Sequence, residues 1–110
     1  MSIFSDIFNK ILNKVKSLVP GAAAVSDVDL VVELDKLAKG KGLNWKTSVV
    51  DFLKLIGADS GRENRDALSK ELGVDPNLES GSAEKNETLR KVLFKKIAEN
   101  GGKIPASLLD

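Results

Sequence analysis

Cysteine, histidine and tyrosine are all absent from this 110-residue chain. Without cysteine there is no disulfide and no thiolate chemistry, and a reducing compartment is allowed. Without histidine the commonest general base and the commonest transition-metal ligand are missing, and with tyrosine also gone several covalent mechanisms fall away. An excess of either charge is lacking too: 17 basic residues against 16 acidic ones leave a net charge of +1. Nucleic-acid proteins usually carry a strong basic excess, so that class of partner is not expected. No apolar run approaches the roughly twenty residues of a membrane span. Ala22-Ala23-Ala24 has the look of a signal-peptidase site, but Asp6, Lys10, Lys14 and Lys16 interrupt what would have to be the apolar core of a leader. The expected location is the cytoplasm, with peripheral attachment to a membrane open to the first helical segment.

What is present suits one small domain with a modest core: 42% of residues are hydrophobic and 30% are charged. From Ile3 to Val19 the apolar positions recur in pairs at helical spacing. Ile3, Phe4, Ile7, Phe8, Ile11, Leu12, Val15 and Leu18 form a contiguous face, and Pro20-Gly21 stops the helix. Gly21 to Val25 reads as a flexible linker. Ser26 with Asp29 has capping-box spacing and starts a second helix that runs to about Lys39.

The stretch from Leu43 to Gly73 predicts two packed helices and carries the single tryptophan, Trp45. Ser48 with Asp51, and Ser60 with Glu63, supply capping-box starts, while Gly57 and Gly73 stand where helices close in the left-handed conformation. Asp75 to Ser82 is turn-rich, and a long helix follows from about Ala83 to Glu99. Ile104, Leu108 and Leu109 suggest that the tail docks on the body. The expected fold is all-α: a four-helix body over 26–110, a linker over 21–25, and an amphipathic helix over 1–20. On this reading the body folds without its first helix.

Asn44-Trp45-Lys46 admits two readings, an exposed aromatic that stacks on a ligand or a buried indole with Asn44 capping the next helix, and the second is expected. A DNA-binding helix-turn-helix over Phe52 to Leu72 is not expected. Between Leu43 and Gly73 the cations Lys46, Lys54, Arg62, Arg65 and Lys70 are matched by Asp51, Asp59, Glu63, Asp66 and Glu71. The loop from Asp75 to Gly81 departs from a calcium loop, since its glycine falls one place late. No phosphate loop and no nucleophile motif is present. No catalytic, cofactor-binding or metal-binding residue is therefore named.

The opening MSIFSDIFNKI, the run LNWKTSVVDFLKLIG, the later LSKELG and the ending KIAENGGKIPASLL together resemble a bacterial domain-of-unknown-function family marked by an Asn-Trp-Arg motif. The resemblance implies five helices with a long flexible loop between the first two. Lys46 stands where the motif has arginine, and the linker here is short. The family has no established activity, so the resemblance implies a fold and no site. The leading expectation is a non-enzymatic interaction module whose first helix docks on an anionic membrane surface or a protein partner. The alternative is a structural or weakly self-associating domain, its first helix packed on its own body or on another copy.

Overall fold

A computed structural model describes residues 2–109. Five α-helices follow one another in this span: α1 (Ile3–Leu18), α2 (Leu30–Ala38), α3 (Val49–Leu55), α4 (Arg62–Leu72) and α5 (Ala83–Glu99). Short 3₁₀ turns at Val25–Asp27 and Ala106–Leu108 complete the regular structure, and no strand occurs among the described residues. The all-α architecture is thus the one read from the sequence.

The helix ends show how local chemistry sets the elements. The Ser2 side chain accepts from the Ser5 N–H at 2.9 Å and opens α1. Ser48 does the same for Asp51 at the head of α3, and Ser82 for Lys85 at the head of α5. Gly57 follows α3 at φ 77° and Gly73 follows α4 at φ 78°, conformations that side-chain-bearing residues rarely adopt. The reversal lets the Ala58 N–H reach the Leu53 carbonyl and the Val74 N–H reach that of Ser69, both at 2.9 Å.

Two predicted starts move. Asp29, not Ser26, caps α2, accepting from Val32, because the chain first makes the 3₁₀ turn that buries Val25 and Val28. Gly61, not Ser60, precedes α4 and makes no side-chain cap. Asp59 instead accepts from the Gly61 N–H at 2.8 Å, and the Ser60 carbonyl accepts from the Arg65 guanidinium at 2.6 Å.

The core is built from every helix. Phe52 and Leu53 of α3, Leu68 of α4, and Leu89, Leu93, Phe94 and Ile97 of α5 are buried, with Leu30 and Leu34 of α2 beside them. Phe4, Ile7, Ile11 and Val15 of α1 belong to the same cluster. The expected separation of 1–20 from 26–110 by a loose linker therefore has no counterpart in the packing. Val25, at the end of that linker, is itself a core residue, and Ala22 packs against the core. A radius of gyration of 13.3 Å agrees, since a compact domain of this length has about 13 Å and a protruding helix would raise it.

The tail docks as expected, with Ile104, Leu108 and Leu109 half-buried against the core. Its anchor is Arg90, a buried guanidinium that donates to the Leu108 carbonyl at 3.4 Å, bonds the Glu87 carboxylate, and faces the Phe94 ring at 5.6 Å. No helix among the described residues is long and apolar enough to cross a membrane.

Candidate functional site

The face of α1 singled out in the sequence is largely covered by the protein itself. Ile7, Ile11 and Val15 are no more than 2% exposed and Phe4 is 8% exposed. Ile3, Phe8 and Leu12 are half-buried against the core, and Leu18 lies most open at the end of the helix. Asp6, Lys10 and Lys16 occupy the solvent side. The head of the helix is held by Glu71 of α4, whose two carboxylate oxygens accept from the Ile3 and Phe4 N–H groups, each at 2.8 Å. A carboxylate there satisfies two orphan donors and meets the positive end of the helix dipole. Lys96 of α5 lies 5.5 Å from the Phe4 ring and closes the same corner.

The Asn44-Trp45-Lys46 segment lies between α2 and α3. The indole is 3% exposed and forms a triangle with Phe52 and Phe94, at centroid separations of 6.3 and 6.0 Å. Its Nε1–H donates to Asp35 of α2 at 3.0 Å. The other Asp35 oxygen meets the Lys46 ammonium at 3.1 Å, and that ammonium lies 5.7 Å from the indole centroid. One carboxylate thus satisfies the buried indole donor and positions the cation. Asn44 does not cap α3. Its backbone N–H donates to Asp51 at 2.9 Å and its carbonyl accepts from Ser48, which is the residue that caps.

A third constellation was not singled out in the sequence. Asp66 of α4 accepts a short hydrogen bond from the Ser80 hydroxyl and another from the Lys85 ammonium at 3.1 Å. Arg62, one turn earlier, donates to the Ser80 hydroxyl at 3.0 Å and to its carbonyl at 2.7 Å. The Ser80 bond above all, then the Lys85 bond and the positive charge of Lys85 and Arg62, hold the Asp66 carboxyl below its ordinary value of 3.8. The cluster clamps the loop before α5 onto α4. Beside it lies a cleft of about 440 Å³, walled by Asp66 and Lys70 of α4, by Val74 and Pro76 of the following turn, and by Lys85 of α5. Spacing along the chain gives no sign of it, because Asp66, Ser80 and Lys85 lie on different elements; within α4, Asp66 reads only as one of several matched charges.

Among the described residues no group of three or more acidic, histidine or cysteine side chains is placed to hold a metal ion. No curated protein and no solved structure matches the chain. A family match does exist: it covers residues 14–105, reaching from the second half of α1 to the tail, and its description is a domain of unknown function. By that match, over most of its length, the chain belongs to the domain-of-unknown-function family DUF3597.

Proposed function

We propose that this is a non-enzymatic cytoplasmic binding domain in which α1 is an integral staple of the core, not an arm that reaches for a membrane or a partner. The observation that carries this reading is the double tie of α1: four buried apolar side chains along it and the Glu71 carboxylate across its first two N–H groups. To dock elsewhere, α1 would have to leave the apolar surface that it covers on the other helices open to water, a cost that burying its own face elsewhere does not return. That cost weighs equally against membrane insertion and against self-association through the same face.

Composition supports the non-catalytic part. Histidine and cysteine are absent, and Asp66 is pushed to lower pKa, away from the range in which a carboxylate serves as a base at neutral pH. The net charge of +1 supports a partner other than nucleic acid.

The test is flotation of the intact chain with phosphatidylserine-containing vesicles at physiological salt, with hydrogen exchange read on α1. The chain is expected to stay in the aqueous fraction with α1 protected. Co-flotation accompanied by rapid exchange along α1 overturns the reading in favour of the membrane-docking helix.

A further inference from the structure

We infer that the cleft between α4 and α5 binds a small anionic amphiphile, a single-chain carboxylate with an apolar body. This site is separate from α1, and its test does not depend on the role given to that helix.

The volume of about 440 Å³ falls within the range of roughly 300–1,000 Å³ common for small-molecule clefts. The walls divide by chemistry. On the turn that leaves α4, exposed Pro76 offers an apolar surface, to which Val74, 6% exposed, adds an edge. The polar side holds Asp66, Lys70 and Lys85, so its formal charge is +1. The two cations differ in their state. Lys85 has a largely buried stem, and its ammonium is neutralised by Asp66 at 3.1 Å. Lys70 is exposed at the rim and makes no ion pair among the described residues. Asp66 stays ionised, because Ser80 and Lys85 both bond its charged form. The polar side therefore presents one uncompensated positive charge next to an apolar wall, which suits one anionic head on one apolar chain. A cationic amphiphile would meet Lys70 unfavourably, and a neutral one would leave it unpaired.

The cleft is also preformed. Arg62 and Asp66 fix Ser80 in the loop before α5, and Ser82 caps the first turn of α5 that bears Lys85, so that wall is held before any ligand arrives. A preorganised wall avoids the ordering cost of closing on a ligand.

The experiment titrates the full chain with decanoate below its micelle-forming concentration and follows backbone amide shifts. Decanol and decyltrimethylammonium serve as neutral and cationic controls. Decanoate is expected to give saturable shifts confined to Ser69–Val74 and the first turn of α5, with decanol weaker and the cation weaker still. Lys70→Gln should weaken decanoate by about threefold, the size expected of one exposed ion pair, and leave decanol unchanged. Lys70 is a surface residue, so the variant's unchanged thermal transition separates a lost contact from a lost fold. Three outcomes overturn the inference: no saturation with decanoate, saturable shifts centred elsewhere, or equal binding of the cationic amphiphile.

Discussion

Glu71 sits 67 and 68 residues along the chain from the two N–H groups that it caps. Glu71→Ala should therefore lower stability by about 1–2 kcal/mol, as the loss of a helix cap does, and urea unfolding measures it. Nothing in the sequence announces that pairing: Glu71 reads as one more exposed acid near Lys70, because a cap supplied from another helix has no fixed spacing. Trp45 is the opposite case, since a lone large aromatic in the turn before an apolar helix signals burial by itself. Trp45→Ala should cost roughly 3–5 kcal/mol, in line with other buried aromatic truncations. Trp45→Phe should cost less, losing chiefly the bond to Asp35. Native tryptophan emission should be blue-shifted and slow to quench with acrylamide; a red-shifted, readily quenched signal would contradict the burial. Asp66 gives a prediction in pH. Its carboxyl is held below 3.8 in the folded chain, so its contribution to stability is complete above that value and is lost as pH falls through the lowered one. Thermal melts of the native chain and of Asp66→Asn should differ most near neutrality and converge on acidification below about pH 4. A gap that is constant with pH would remove the charge-based explanation.

At the scale of elements, what was legible was what is local. Ser48 caps where its spacing says, and Gly57 and Gly73 close the helices they follow, because each signal involves residues within one turn. Where two local signals compete, tertiary packing decides. Ser26 and Asp29 both fit the start of α2, and the burial of Val25 and Val28 selects Asp29. Helical periodicity identified the apolar face of α1 but carried no information on what covers it, since a face bound to a membrane and one bound to α4 have the same pattern. The deletion expected from the sequence to leave a folded body is therefore predicted to do the reverse. Phe4, Ile7, Ile11 and Val15 together contribute roughly 6–12 kcal/mol at about 1.5–3 each, comparable with the whole stability of about 5–15 kcal/mol typical of a domain. Removing residues 1–20 should abolish the cooperative thermal transition, and Ile7→Asp with Ile11→Asp should do the same. A sharp transition in either protein would show that α2 to α5 suffice.

At the scale of the molecule, one core holds five helices, a docked tail and a clamped loop. The polar groups that could have signalled chemistry are largely engaged in keeping that arrangement: Asp35 with Trp45 and Lys46, Asp66 with Ser80 and Lys85, Glu71 with the head of α1. This is why the carboxylates on α4, which look interchangeable in sequence, have distinct structural tasks in the fold. In such an arrangement α1 unfolds only with everything else. Native-state hydrogen exchange of the intact chain tests it most directly, by comparing amides near Ile7, Ile11 and Val15 with those near Leu89, Leu93 and Ile97. Both sets are expected to exchange through the same global opening, with equal protection and equal dependence on added denaturant. Rapid exchange along α1 while α5 stays protected would contradict it.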